Sequence, residues 1–535
     1  MHKIILFSDK ARNKIKKGVD ILVKAVEQTL GPKGKCAIFH HARPTFTLDG
    51  VTVAKQVVLE DRIENIGCKL IQQIAEKTDR EAGDGTTTAT ILAGVILNEG
   101  LKGIAAGIDR TEMKRGLSDG QKIVVKMLSE ISTPIDGKKQ ISDLATISSR
   151  EREIGDVIAG IIEEAGNEAV IAVEEMKTIG IQQEVVKGME LDSGFISPYM
   201  MTNPERGEVL LEKPYILTTG QVLNSNPELI ALLEGLARRA DTKSLLIIAD
   251  DVKGEALSTI VINKLKGILN IAAIKAPEFG EEKIAILQDT AIITGGQLFA
   301  EETAKRVSEI DAENFKDELG RAERVIITQD KTIIIGGKGD KKEINKRIKE
   351  LKTAQEKTDS DFKRGQLEKR IAKLSGGIAV IKVGCYSEEE SKEKRFRIED
   401  AVRAAHSAIA EGIIPGAGMA YIRCSQKLEE LIAQQTDISY RMGLEIINKA
   451  IQTPAHAIIE NSGKKADIII ERCKENKNPN YGYNSATDEY GDLIKMGVLD
   501  PVRVARVALE NAVSVISLLL ITETVMVDDP AAEPK

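Results

Sequence analysis

Apolar positions recur every three or four residues through the first third of the chain, and that spacing predicts helices. Across Lys10–Leu30, Ile15, Val19, Leu22, Val23 and Val26 fall on one face, with lysine and glutamate between them. Gly31-Pro32 ends this helix, because glycine accepts dihedrals outside it and proline lacks the N–H to continue. Ile66–Ala82 is a second helical stretch that stops at Gly83, and Thr86–Glu99 a third that begins after Asp84-Gly85. Cys36–Phe39 and Thr45–Leu48 read as short strands. The middle changes character: Ser244–Ala249 and Ile271–Ile274 are short, largely apolar runs among amphipathic stretches, which suggests an α/β domain. Charge is dense from Asp330 to Lys373. Lys338–Leu351 and Asp359–Lys373 read as surface helices with mixed-sign pairs, a solvated face being favoured over a basic patch. Long helices return at Ser391–Glu411, Ser439–Ser462 and Asp500–Thr522. Helix at both ends around an α/β middle suggests one domain closed by both termini with another inserted. No internal repeat is evident, and Asp528–Lys535 reads as a frayed tail.

Composition narrows the function classes. The chain has 535 residues, enough for about three domains. Its 42 % hydrophobic content excludes compositional disorder. With 3 % aromatic residues and no tryptophan it lacks base-stacking platforms. Lys+Arg 75 against Asp+Glu 82 leaves a net charge of −7, no general drive toward phosphate backbones. The apolar run Ile4–Phe7 is too short for a signal-peptide core. Val513–Ile521, bracketed by Glu510 and Glu523, falls short of the ~18 residues a spanning helix needs and reads as buried. The five scattered cysteines form no CxxC pair and read as reduced thiols, so the expected location is cytoplasmic.

The sharpest local signal is Gly83-Asp84-Gly85-Thr86-Thr87-Thr88-Ala89-Thr90. Two glycines let backbone approach a ligand closely, the following residues open a helix whose N–H groups favour an anion, and threonine hydroxyls add donors. Asp84 beside phosphates would need a cation, which suggests Mg²⁺. The alternative is an Asp N-cap followed by a Thr-rich first turn. Thr29–Lys35 superficially resembles a P-loop. Cys36 stands where Ser or Thr should follow Gly-Lys, however, and the glycine spacing is wrong, so Walker A chemistry is rejected. A glycine turn touching a nucleotide and a plain helix stop remain equal readings there. Asp49-Gly50 offers another carboxylate, with a hairpin turn as its plainer reading, and Gly416-Ala417-Gly418 is a weak loop signal. No HExxH motif occurs, and no Ser/His/Asp arrangement can be inferred.

Taken together, these segments resemble one family, the group I chaperonins of the GroEL type, from about Ala11 to Asp528. The resemblance rests on TLGPKG (Thr29–Gly34), DGVTVAK (Asp49–Lys55), AGDGTTTAT (Ala82–Thr90), LLIIADDVKGEAL (Leu245–Leu257), KVG (Lys382–Gly384) and YGYNSATDEYGDL (Tyr481–Leu493), all in order. It implies a multidomain α and α/β fold in three parts. These are a mainly helical equatorial ATP-binding domain (1–133 and 412–535), a small intermediate domain (134–187 and 378–411) and an inserted α/β apical domain (188–377). Pro134 and Gly412 match the lower hinge, Gly188 and Gly377 the upper one. The implied activity is ATP hydrolysis coupled to folding of enclosed non-native proteins, with ATP and Mg²⁺ as cofactors and K⁺ admitted as a third. The implied partners are unfolded polypeptides, a small lid co-chaperonin of the GroES type and further copies in seven-subunit rings, two rings being expected.

Residue roles follow the same resemblance. Thr29, Leu30, Gly31 and Pro32 match the loop beside the nucleotide, Asp84 the Mg²⁺ ligand, and Gly85, Thr86, Thr87 and Thr88 the phosphate cradle. Asp49 matches a carboxylate near the γ-phosphate, and Asp400 the residue that orients the attacking water. Asn484, Ala486 and Asp500 match the base and ribose pocket. Phe195, Tyr199, Met200, Ile230, Leu233, Leu257, Val261 and Ile262 match positions lining the ring opening; on sequence alone the helical spacing of Leu229, Ile230 and Leu233 and of Leu257 and Val261 favours ordinary core. The chain departs from the pattern at Leu48, where a polar residue is usual, and at Ala417, where the family loop has glycine. Ser193 replaces an arginine expected to pair with Glu388 of a neighbouring subunit, and His456, Lys465 and Thr436 stand where ring–ring partners would. These departures raise a second reading, a divergent paralogue that binds unfolded protein passively. A small-molecule kinase ranks last, since nothing supplies a metabolite pocket.

Overall fold

Ile15, Val19, Leu22 and Val26 are almost wholly buried along the Ser8–Glu27 helix, on the face their spacing defines. The structure is a computed structural model that describes residues 3–40, 44–47, 49–166, 169–176, 178–204, 206–225, 227, 229–310, 312–313, 315–358 and 360–528. The chain divides into two compact units, residues 1–167 with 385–535, and residues 168–384. Segments 134–167 and 385–411, expected to connect two larger domains, belong to the first unit.

The first unit is mainly helical. Ser8–Glu27, Arg62–Ala82, Thr86–Ala105, Arg110–Ile131, Ile438–Asn461 and Val502–Leu520 share one aliphatic core that includes Leu22, Ile71, Leu92, Leu117, Ile447 and Leu509. The first and last strands, Lys3–Phe7 and Thr524–Asp528, pair antiparallel. Ala37–His40 and Pro44–Thr47 form a hairpin, while Leu48 and residues 529–535 lie outside the described residues. Gly137–Ser149 and Glu388–Glu411 pack together and share a small apolar cluster, Leu144, Ala408, Ile413 and Leu499. One boundary differs from expectation. Asp500 lies in a strand, Leu499–Pro501, that pairs antiparallel with Ile413–Pro415, and the helix starts at Val502. Pro501 has no N–H to donate, which suits an extended lead-in to a first helical turn.

The second unit is α/β. Asn270–Lys275, Ser244–Ala249, Tyr215–Thr219 and Leu298–Phe299 lie in that order as parallel neighbours, with Gly320–Arg321 antiparallel to Tyr215–Thr219. All six residues of Ser244–Ala249 are buried, as a parallel strand covered on both faces requires. Gly188–Leu191, Thr332–Ile335, Arg324–Ile327 and Val209–Glu212 form an antiparallel sheet. The charge-dense stretch folds as two helices, Lys341–Lys357 and Asp361–Gly376. Their outer faces carry the charge, yet buried Asp289 anchors both, accepting from Arg347 at 2.8 Å and Arg370 at 2.7 Å. All five cysteines are free, and among the described residues no helix is long and apolar enough to cross a membrane.

Candidate functional site

Two glycines build the turn between Arg62–Ala82 and Thr86–Ala105. Gly83, at φ +74°, caps the first helix through its N–H to the Asp79 carbonyl at 2.7 Å. Gly85, at φ +82°, is the N-cap of the second. Both positions require glycine twice over, by conformation and by space: a Cβ at Gly83 would stand 2.2 Å from Arg403 Cβ, and one at Gly85 2.7 Å from a Val504 methyl. Asp84 therefore sits between helices instead of capping one; its Oδ1 accepts the adjacent Gly85 N–H, at 2.6 Å. The Asp N-cap reading is not what forms. No side chain caps Thr86–Ala105, so the N–H groups of its first turn keep their capacity for an external anion. Thr86 and Thr87 are buried beside them, and Thr88 is half-buried.

Three further carboxylates approach this turn. Asp49 caps the Gly50–Gln56 helix, accepting from the N–H groups of Val51 at 3.2 Å and Thr52 at 2.9 Å and from the Thr52 hydroxyl at 2.5 Å. It is thus a helix cap, not a residue of the preceding hairpin turn. Gly50 brings it close to the cradle, since a Cβ there would meet Thr87 Oγ1 at 2.0 Å and a Val26 methyl at 3.3 Å. Asp400, on Glu388–Glu411, accepts from Arg403 Nη2 at 2.6 Å, and the same nitrogen reaches Asp79 at 3.3 Å. Asp500 enters from the Leu499–Pro501 strand.

Electrostatics couples these groups. Burial, with repulsion from Asp79 and Asp49, raises the Asp84 pKa above the usual carboxylate range. Asp400 is held well above that range by burial, against the opposing pull of Arg403 and with added repulsion from Asp49, Asp84 and Asp79. Its side chain nevertheless keeps 32 % of its surface, so it lies in a recess that is densely enclosed and still open to solvent. Burial and Asp84 push Asp500 up to about 7. Like charges held together at partial burial favour a cation that neutralises them. No set of three His, Cys, Asp or Glu among the described residues could hold a metal ion by itself. One carboxylate with phosphate oxygens and water completing the shell is the usual Mg²⁺ arrangement, and Asp84 suits it.

The remaining predicted residues are placed less directly. Thr29 is buried with its hydroxyl on the Val26 carbonyl, and the Leu30 carbonyl accepts from Asn461 Nδ2 at 2.9 Å. Gly31, at φ +87°, rests on Ile458, and Pro32 is exposed. Val26 links this turn to Gly50. Ala417 adopts φ +55° in the Gly416–Gly418 loop, and Gly418 abuts Ala455, where a Cβ would come within 2.7 Å of backbone nitrogen. Asn484 Oδ1 accepts the Ala486 N–H at 2.9 Å, so these two interact with each other. Asn484 ends the Tyr481–Asn484 strand, whose Tyr483 packs with Met419, Ala455 and Ile459, while Asp500 pairs with Ile414. Between Asn484 and Ala486 the buried Ser485 hydroxyl has no partner among the described residues, an open polar group in the expected ribose and base region that suits a polar ligand. Sequence reasoning missed Arg403, Asp79 and Arg150. Arg403 was legible as the i+3 neighbour of Asp400; Arg150, at φ +62° and facing Asp84 and Asp49, left no such signal.

In the second unit the eight apolar candidates split. Tyr199 (67 % exposed), Ile230 (47 %) and Ile262 (49 %) are open, and Phe195, Leu257 and Val261 are half-buried against the core. Met200 (0 %) and Leu233 (7 %) are core residues, a correction to the expected lining: neither can meet a ligand in this conformation. Leu265 (66 %) and Ile268 (43 %) extend the exposed strip beyond the predicted set. Ser193 donates its N–H to the Leu191 carbonyl at 2.9 Å, while the Glu388 side chain lies outside the described residues. His456 faces Asp467 within the same chain, at 3.6 Å.

The sequence model of the TCP-1/cpn60 chaperonin family matches residues 22–530. The fold is similar to that of the chaperonin gp146 from the bacteriophage EL 2 (Pseudomonas aeruginosa), crystallised in the presence of ATP-BeFx. The two share 19 % identity at a TM-score of 0.70, over 98 % of this chain and 99 % of that one.

Proposed function

The chain belongs to the TCP-1/cpn60 chaperonin family, whose role is that of a chaperone, and on that premise we propose that it is an ATP-driven folding chaperonin of group I type. The observation that carries this reading is the convergence of Asp49, Asp84, Asp400 and Asp500 on the uncapped start of Thr86–Ala105. MgATP would supply the phosphoryl group there, and its Mg²⁺ the positive charge set against the carboxylates. Asp84 holds the cation, Gly85–Thr88 donate to phosphate, and Thr29–Pro32, Ala417, Asn484, Ala486 and Asp500 surround the rest of the nucleotide. Asp400 orients water for attack, and Asp49 lies near the γ-phosphate. The subunit works in three parts, equatorial (1–133 and 412–535), intermediate (134–187 and 378–411) and apical (188–377). Hinges at Pro134, Gly412, Gly188 and Gly377 let hydrolysis move the apical part, with K⁺ as an auxiliary ion. Tyr199, Ile230 and Ile262 present apolar surface to unfolded chains in the cavity of a seven-subunit ring, which pairs with a second ring and takes a GroES-type lid.

A Mg²⁺-dependent ATPase assay tests the reading. Asp400→Ala should keep ATP binding and lose nearly all turnover, whereas normal hydrolysis in that variant would overturn it. One observation favours a second reading, a paralogue with weakened ATPase that holds unfolded protein passively: Ala417 occupies the left-handed region, φ +55°, which glycine tolerates and alanine resists. Ala417→Gly should raise turnover if the methyl group is what impairs the site.

A further inference from the structure

Asp400 stands in a predicament that its own burial creates. Asp49, Asp84 and Asp79 all face it, on three segments of the first unit, and every one of them opposes its ionisation. A carboxylate that orients or deprotonates water is useful only as an anion. Among the described residues, the positive group that opposes these three aspartates is Arg403, three residues along the same helix. Nη2 of Arg403 lies 2.6 Å from Asp400 Oδ1 and 3.3 Å from Asp79 Oδ1, so one guanidinium ties the Glu388–Glu411 helix to the last turn of Arg62–Ala82. The stem of the same side chain lies across Gly83. A Cβ there would come within 2.2 Å of Arg403 Cβ and 2.9 Å of Nε, so the glycine beside Asp84 leaves the space that Arg403 fills. Arg150, the other arginine of the recess, faces Asp84 and Asp49 and makes no hydrogen bond or ion pair to Asp400 among the described residues.

We propose that Arg403 is a positioning residue for hydrolysis, which holds the Asp400 carboxylate at the mouth of the Gly83–Thr88 turn by bridging it to Asp79. The proposal rests on the assignment of Asp400 as the water-orienting carboxylate. Its consequence is a pH dependence. Removing Arg403 takes away the charged hydrogen bond to the Asp400 carboxylate, so Asp400 takes up its proton at higher pH and turnover falls at neutrality. Lysine keeps the charge but lacks the planar fork to reach both carboxylates, so it restores part of the effect.

The test uses the full-length protein in wild-type, Arg403→Ala and Arg403→Lys forms, the lysine variant keeping the test alive if alanine impairs folding. Without nucleotide, the protonated-carboxyl infrared band of Asp400 is isolated by subtracting the spectrum of the matching Asp400→Asn protein and followed against pH. With MgATP, the pH profile of turnover is recorded in parallel. Arg403→Ala should move both the Asp400 titration and the acid limb of the profile upward by roughly one to three units, with Arg403→Lys in between. Its rate at neutral pH should fall about tenfold or more and recover at alkaline pH. An Asp400 titration that is the same in all three proteins, or a lost rate that alkaline pH does not restore, would overturn the proposal while leaving the ATPase assignment intact. A wild type without MgATP turnover would overturn the ATPase reading and this role together.

Discussion

Buried aspartates meet opposite fates in the two units. In the second, Asp289 is 2 % exposed and carries two arginines, Arg347 and Arg370, each within 2.8 Å. Its charge is more than matched, and its partners come from the two helices it anchors. In the first, Arg403 reaches Asp400 and Asp79 and Arg150 faces Asp84 and Asp49, yet Asp84, Asp400 and Asp500 are still pushed toward their neutral forms. A buried charge with its counter-charge built in holds a fold together; a set of half-buried charges short of counter-charge suits a ligand that brings a cation.

The largest effect that separates the two sites is catalytic. Asp400→Ala should lower ATP turnover by roughly two to four orders of magnitude with nucleotide affinity little changed, read from steady-state rates beside binding. Asp289→Ala should instead leave buried Arg370 without its carboxylate and Arg347 with only Glu350, and destabilise the second unit by about 3–5 kcal/mol, visible in denaturant unfolding, with MgATP binding kept. If Asp289→Ala abolished nucleotide binding while leaving stability alone, the contrast would be lost.

Asp500 sharpens the comparison through pH. Its folded pKa, about 7, lies above the ordinary value of 3.8. The stability this group contributes is therefore complete below the ordinary value and is lost as pH rises through about 7. Asp500→Asn removes that loss. It should raise the melting midpoint at alkaline pH by about 2 °C or more and change it little at strongly acidic pH, which thermal scans across pH would check. A stabilisation independent of pH would contradict the assigned burial. The smallest change falls on exposed apolar residues: Ile262→Ser and Leu265→Ser should alter stability by no more than about 0.5 kcal/mol. Both should reduce protection of an unfolded test protein against aggregation. Met200→Ala, by contrast, should cost about 2–5 kcal/mol, because that residue fills core.

Much of the helical framework was readable because burial follows period. The face Ile15, Val19, Leu22 and Val26 and the helix stop at Gly83 are local facts of chain and turn chemistry. The glycine-flanked Asp84 was readable for the same reason. What local pattern could not carry was the pairing of distant segments. The strand at Asp500 depends on Ile413–Pro415, far away in sequence, and Pro501 alone does not announce it. Leu233 and Ile230 share one helix and one chemistry, and only the packed sheet decides that the first is core and the second open. Arg403 was visible as a neighbour of Asp400, but its reach to Asp79 needed two helices brought together.

Calorimetric titration of ATP into the wild type, Asp84→Ala and Asp289→Asn, each with and without Mg²⁺, tests the central contrast most directly. The account predicts Mg²⁺-dependent binding in the wild type and in Asp289→Asn, and its loss in Asp84→Ala. Equal affinity in all three proteins, or binding indifferent to Mg²⁺, would contradict it.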